Sequence, residues 1–263
     1  MPDGRVLIIA GSDSGGGAGV QADIKTVTML GGYAATAITA VTVQNTLGVA
    51  AIHPIPAAIV EAQARAVLED IGADAIKLGM LRGADVVEAV ARVLASAPAV
   101  PAVIDPVILA TSGERLLEER GLDALRTLLL PAAALFTPNA PEAAALTGLA
   151  VTTTDDLRRA GETLLEAGCA AVLMKGGHIA GETVVDILMS PSGETTFEGP
   201  RMAGRHGTGC TLASACAVGL AQGLALEAAA ARAWAYTAEA IRCAPGLGAG
   251  AGPLNHGWLL RER

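Results

Sequence analysis

Short apolar runs alternate with longer amphipathic stretches along almost the whole of this chain, and few folds accommodate that pattern. Residues 5–10, 35–43, 75–78, 102–105, 134–137 and 170–175 read as strands, while 19–30, 57–70, 84–95 and 155–167 carry helical spacing. A strand that returns parallel to its predecessor needs a helix-length crossover. The alternation therefore predicts an α/β fold with a mostly parallel central sheet and helices on both faces. Residues 184–189 and 195–198, joined across Ser190-Pro191-Ser192-Gly193, predict a small antiparallel hairpin at the sheet edge. Thr154, ahead of Asp155 and Asp156, reads as a helix N-cap. With 263 residues, no linker-like stretch and no repeat, one domain covering 1–263 is expected.

Composition narrows the function classes. The chain is 52% hydrophobic but only 2% aromatic, so its core must be aliphatic and alanine-rich. A net charge of −8 and the lack of any Lys/Arg run argue against nucleic acid as a partner. An acidic chain that binds a nucleotide has to use local devices such as backbone amides, a lysine or a metal ion. The four cysteines, at 169, 210, 216 and 243, form no C-x-x-C pair, which points to free thiols in apolar helical surroundings and a cytoplasmic protein. The apolar run 6–10 is too short for a signal peptide, and the uncharged run 211–226 is too short for a membrane span. A soluble protein without a membrane partner is expected.

In open parallel sheets ligands bind beyond the carboxyl ends of strands, and here the unusual loops follow strands. His206-Gly207-Thr208-Gly209-Cys210-Thr211 opens an uncharged run that reads as a buried helix. Glycines at a helix N-terminus expose amides that favour phosphate or an oxyanion, with Cys210 in the first turn; a plain helix cap with a small packing residue is the competing reading. Gly11-Ser12-Asp13-Ser14-Gly15-Gly16-Gly17-Ala18-Gly19 lacks both common phosphate-loop signatures, and a flexible turn competes with close approach to a flat ligand. Thr42 and Gln44 share a strand face. The Gln44 amide suits a heterocycle edge, although a solvated turn fits as well.

Asp105-Pro106 and Thr137-Pro138-Asn139-Ala140-Pro141-Glu142 place two carboxylates beyond neighbouring strands. They suit Mg²⁺, directly or through its waters, or else a turn cap and a first helical turn. Lys175-Gly176-Gly177-His178 sends a lysine from a buried strand into a double glycine, where it can reach a phosphate. His178 and His206 lack metal-ligand spacing, and His53 and His256 read as ordinary loop histidines. An anion site, a lysine, two carboxylates and a small-molecule loop suit phosphoryl transfer. Cys210 is the candidate base, its thiol expected to be lowered by the helix N-terminus.

The loop 11–23, Gln44-Asn45-Thr46, Asp105-Pro106-Val107, Thr137-Pro138-Asn139, Met174-Lys175-Gly176-Gly177-His178 and the 206–211 motif together resemble the hydroxymethylpyrimidine/phosphomethylpyrimidine kinases of thiamine biosynthesis, in the family's order from about residue 5 to 257. The resemblance implies a ribokinase-like fold and ATP-dependent phosphorylation of 4-amino-5-hydroxymethyl-2-methylpyrimidine, then of its monophosphate. It implies a pyrimidine between the Gly11 loop and Gln44, with Asp23 near the hydroxymethyl group and Val43 and Met80 as neighbours of the ring. It further implies an anion hole at Gly207, Thr208, Gly209 and Cys210, with Cys210 as base. Lys175, with Thr208 and Gly209, would bind ATP, and Asp105 and Glu142 would position Mg²⁺. The family is commonly dimeric, so a homodimer is expected. This chain departs from the family at Thr111, commonly lysine, and at Gly204-Arg205, usually Asn-Thr. A pyridoxal kinase and a catalytically silent ligand sensor are the competing functions.

Overall fold

The apolar runs assemble into one nine-stranded sheet in the order β3-β2-β1-β4-β5-β6-β7-β8-β9. The structure, a computed structural model, describes residues 3–109, 115–203 and 206–261; Thr111, Gly204 and Arg205 lie outside them. The parallel strands are β1 (Arg5–Asp13), β2 (Tyr33–Asn45), β4 (Ala75–Leu78), β5 (Ala102–Ile104), β6 (Leu135–Phe136) and β7 (Val172–Met174). Antiparallel strands flank them: β3 (Gly48–Pro54) on β2, and the hairpin β8 (Thr183–Ser190) and β9 (Gly193–Pro200) on β7.

Strands covered on both faces must be apolar on both faces, and β1 meets that demand. Leu7 and Ile9 join one core with Val60 of α2 (Ala57–Asp70), Val87 and Val90 of α3 (Ala84–Ser96) and Leu157 of α6 (Thr154–Glu166). Val6, Ile8 and Ala10 join the other with Val20 and Val27 of α1 (Gly19–Met29), Leu212 and Val218 of α7 (Thr208–Ala221) and Ala233 of α8 (Leu226–Arg242). Among the described residues the remaining α-helices are α4 (Glu119–Ala124), which runs on into a π-helical turn at Leu125–Leu129, and α5 (Ala140–Thr147). Every residue of α7 from Thr211 to Gly219 is buried, as a helix apolar on all sides requires.

Several expectations need correction. The antiparallel strand β3 was not anticipated, and it carries His53, which is therefore not a loop histidine. The α6 cap is Thr153, one residue before Thr154. The Thr153 side chain accepts from the Asp156 amide at 3.1 Å, while Asp156 accepts from the Thr153 amide at 3.0 Å. The uncharged run is broken after Ala221, and its last residue opens α8. Cys169 lies between α6 and β7, outside any helix.

The chain runs from β1 to β2 and β3 on one side, then crosses to β4 on the other. The strand order thus reverses between β1 and β4, which opens a crevice at their carboxyl ends.

Candidate active site

Strand β1 continues three residues beyond its predicted end, so the glycine loop begins from a fixed strand. Asp13, only 3% exposed, anchors that loop. Its Oδ1 accepts from the Gly15 amide at 2.8 Å, and its Oδ2 accepts from those of Gly17 and Ala18, both at 2.9 Å. Burial alone would raise the Asp13 carboxyl, but His206 and the amides of Ala18 and Gly15 hold it below the usual carboxylate range. The glycines allow close packing. A methyl on Gly19, at φ +56°, would lie 2.3 Å from the Gly11 carbonyl, and one on Gly17 would lie 2.8 Å from His206 Cδ2. Pinned this tightly, the loop is not a flexible turn.

Gly11 and Met80 meet directly, since a methyl on Gly11 would touch Met80 Cε at 2.3 Å. Across this floor, Ser14 Oγ donates to the Gln44 carbonyl at 2.7 Å and accepts from its amide at 2.8 Å. The Gln44 side chain lies 3.0 Å from Thr42 Oγ1 and 2.9 Å from His206 Nε2. Val43 alternates outward with its side chain 61% exposed, so β2 offers the crevice the backbone of Val43 and not its isopropyl group.

Asp23 is not where a ligand would meet it. It is wholly buried, with both oxygens on Lys77 Nζ at 2.8 and 2.9 Å and Ser214 Oγ donating to Oδ1 at 2.7 Å. Burial would pull Lys77 down, but Asp23 in contact holds its ammonium above the ordinary lysine range. Neither Lys77 nor Ser214 was singled out in the sequence. A lysine in the apolar run Ala75-Ile76-Lys77-Leu78 was the available signal, because a buried charge demands a partner.

The other half of the site forms at the ends of β5, β6 and β7. Lys175 Nζ donates to Asp105 Oδ1 at 2.7 Å and lies 3.9 Å from Glu142 Oε2. Glu142 also completes a capping box with Asn139: its Oε2 accepts from the Asn139 amide at 2.8 Å, and its own amide donates to Asn139 Oδ1 at 2.9 Å. The helix-cap reading of Glu142 is therefore realised beside the cluster. Burial pushes its carboxyl up to about 7, with Lys175 opposing and Asp105 reinforcing the rise. A carboxyl raised in the folded state stabilises fully below its unfolded value and loses that contribution as pH climbs through about 7. Glu142→Gln should accordingly gain stability relative to the parent between about pH 5 and 8. Urea midpoints of both proteins across that range check this; a widening deficit for the variant would contradict the shift.

Asp186, missed in the sequence, accepts from the Gly176 amide at 2.8 Å and holds the turn after Lys175. A methyl on Gly176 would lie 2.1 Å from the Val185 carbonyl, so the glycine is required there. Burial, Lys175 and Arg201 lower His178, which is neutral near pH 7.

Helix α7 closes the site. Gly207 caps it in the left-handed region, at φ 89°, with no side-chain cap, and a methyl there would lie 1.8 Å from the Gly17 carbonyl. Since Gly207 supplies no side-chain cap, the start of α7 presents the positive end of the helix dipole here. Gly209 faces the charged cluster, its would-be methyl 3.1 Å from Lys175 Nζ and 3.4 Å from Asp105 Oδ2. Cys210, next in the turn, does not have the lowered thiol that was expected. Burial pushes it up to about 11, Lys77 opposes, and Asp23 and Asp105 add to the rise. Desolvation outweighs the helix terminus, so the thiol is protonated near pH 7. His256 lies in a turn as expected but is not an ordinary loop histidine: it is buried, bonded to Thr211 Oγ1 at 2.9 Å, and lowered to about 4 by burial and by Lys25.

A crevice at the strand reversal with a lysine, two carboxylates and a glycine-led helix N-terminus defines a kinase on the ribokinase-like fold. The pyridoxal kinase of Staphylococcus aureus in complex with AMP-PCP and pyridoxal superposes on this chain with a TM-score of 0.89 and 31% identity, covering 98% of this chain and 95% of that one. The phosphomethylpyrimidine kinase family profile matches residues 13–255, and the chain belongs to that family. The hydroxymethylpyrimidine/phosphomethylpyrimidine kinase of Streptomyces coelicolor is 49% identical over 98% of this chain and 96% of its own length. The thiamine biosynthesis bifunctional protein ThiED of Geobacter sulfurreducens is 47% identical over 97% of this chain and 53% of its own length.

Proposed function

We propose that this kinase transfers the γ-phosphoryl group of ATP to the hydroxymethyl oxygen of 4-amino-5-hydroxymethyl-2-methylpyrimidine, and then phosphorylates the monophosphate, in thiamine biosynthesis. The observation that carries the reading is the convergence of Lys175, Asp105 and Gly209 at the start of α7, with Cys210 beside them. Phosphoryl transfer asks a protein chiefly for positioning and charge neutralisation. Amides of Gly207 to Cys210 receive the transferred group, with Thr208 and Gly209 on the nucleotide side. Lys175 neutralises phosphate oxygens, and Cys210 stands at the acceptor hydroxyl. Gly11, Met80, Gln44 and the Val43 backbone line the pyrimidine. Asp23 acts from beneath through Lys77 and Ser214 rather than by contact.

The donor set fits Mg²⁺ held through its waters. Asp105 and Glu142 are buried within reach of one lysine ammonium, and Glu142 Oε2 is engaged by Asn139. When bound, the ion neutralises phosphate charge. Among the described residues no helix is long and apolar enough to cross a membrane, and we place the protein in the cytoplasm as a single catalytic unit. The exposed Val41, Val43 and Leu47 at the β2–β3 edge support a homodimer.

An ADP-release assay with ATP and Mg²⁺, offering the pyrimidine and pyridoxal side by side, tests the substrate. Turnover of the pyrimidine is expected to exceed that of pyridoxal. The fold shared with the S. aureus enzyme favours pyridoxal as the second reading, and the reverse ranking would establish it. Lys175→Ala is expected to raise the KM for ATP roughly tenfold while moving that for the pyrimidine little, as lost charge-assisted hydrogen bonds would. The opposite split would mean that the two ligands are exchanged.

A further inference from the structure

His206 Nε2 lies 3.0 Å from Asp13 Oδ2 and 2.9 Å from Gln44 Nε2. A neutral imidazole nitrogen carries either a proton or a lone pair, and the two neighbours make opposite demands. An amide nitrogen facing it requires the lone pair, whereas a carboxylate requires the proton. Asp13 is buried and accepts amides from Gly15, Gly17 and Ala18, so it is a fixed anion. Setting a lone pair against a buried carboxylate is costly, while half a turn of a terminal amide merely exchanges its nitrogen and oxygen. The proton therefore resides on Nε2, and Gln44 turns its Oε1 to the imidazole.

The other side of the amide agrees. Thr42 Oγ1 is 2.9 Å from the Ser12 carbonyl and 3.0 Å from the nearer Gln44 side-chain atom. Its single proton goes to the carbonyl, so the hydroxyl oxygen is left to accept an amide N–H. One continuous chain of donors then satisfies Gln44, Thr42, Ser12, His206 and Asp13. The ring cannot easily swing out of it, because it packs on Gly17 and the His206 amide donates to the Gly252 carbonyl at 3.1 Å.

We propose that His206 is a specificity-determining positioning residue: held by Asp13, its Nε2–H locks the Gln44 amide with Oε1 toward the imidazole and Nε2 toward Thr42. The remaining amide N–H and oxygen lone pair then offer a heteroaromatic edge one donor and one acceptor in a fixed order. An aminopyrimidine, with its ring nitrogen beside its amino group, can pair with that order in one orientation only. Turning the ring over to match the opposite order would carry the substituent beside the amino group to the other side. The inference rests on the reading of Gln44 as the residue that meets the pyrimidine.

The test compares His206→Phe, which removes the donor, with His206→Gln, which keeps an N–H at similar reach. In His206→Phe the KM for the pyrimidine is expected to rise about tenfold, the effect of losing one organised hydrogen bond, with the KM for ATP changed less than about twofold. His206→Gln is expected to recover most of the loss. In the parent, ¹⁵N shifts of the imidazole should report a protonated Nε2. A deprotonated Nε2, a parallel rise in both KM values, or a Gln variant as impaired as Phe would overturn the proposal. Failure of the parent itself to phosphorylate the pyrimidine would instead overturn the substrate reading.

Discussion

Cys210→Ala is expected to lower kcat by about a hundredfold or more while leaving the pyrimidine bound, the scale of a lost general base. The thiol sits in the first turn of α7, where we propose that the transferred group is received, but burial pushes it up to about 11. A thiolate is therefore a minor species near pH 7, and in the proposed mechanism only this species can take the acceptor hydroxyl's proton, becoming the thiol as the acceptor oxygen bonds to phosphorus. Two consequences separate this role from mere packing. The parent's kcat should keep climbing as pH rises from 7 toward about 11, as the thiolate fraction grows. Cys210→Asp, which supplies a carboxylate at the same place, should recover activity and flatten that climb. Single-turnover rates of the three proteins across pH decide the matter, and an alanine variant with undiminished kcat would remove Cys210 from the chemistry.

Asp23→Ala is expected to destabilise the fold by about 3–5 kcal/mol, because it leaves the Lys77 ammonium buried without a counter-charge. Lys77 and Asp23 are both fully buried and in contact at 2.8 Å, so solvent screens neither. The pair joins β4 to α1, and Ser214 extends it to α7 one turn beyond Cys210. Replacing both partners with apolar groups, as in Asp23→Leu with Lys77→Met, should restore much of the stability. The double variant removes both Lys77, which opposes the rise of the Cys210 thiol, and Asp23, which adds to it, so stability is its readout. Asp23 holds Lys77 above its ordinary 10.5, so the lysine's share is kept below that pH and lost only above it. Burial, by contrast, raises the Asp23 carboxyl, whose ionisation works against the fold as pH climbs through the carboxylate range. Urea denaturation of the single and double variants measures the first claim. Equal losses in Asp23→Ala and the double variant would refute it.

The fold was largely legible because burial on both faces of a parallel sheet writes itself into short continuous apolar runs. Strand β4 and helix α2 have the bounds that the runs predicted. Strand β3 was missed for the complementary reason: it is an edge strand with Ala50, Ala51 and His53 exposed, and its apolar run is only the four residues Val49 to Ile52. In the site, the residues with unusual local surroundings were found. Lys175 stood out because a double glycine follows it, and Gly207 to Cys210 because an uncharged helix follows them. His206 and Asp186 act through contacts that nothing beside them in the chain declares, and the apolar run around Lys77 signals that it needs a partner without saying that the partner is Asp23.

The amino-acid order alone determined the alternating architecture, the loops that carry chemistry and the residue types available for phosphoryl transfer, because each is a property of near neighbours along the chain. Tertiary structure alone decided the protonation of Cys210, the withdrawal of Asp23 into an ion pair and the joining of His206 to Asp13 and Gln44. Those outcomes depend on desolvation and on charges brought together from distant parts of the chain, and both arise only when the chain closes on itself.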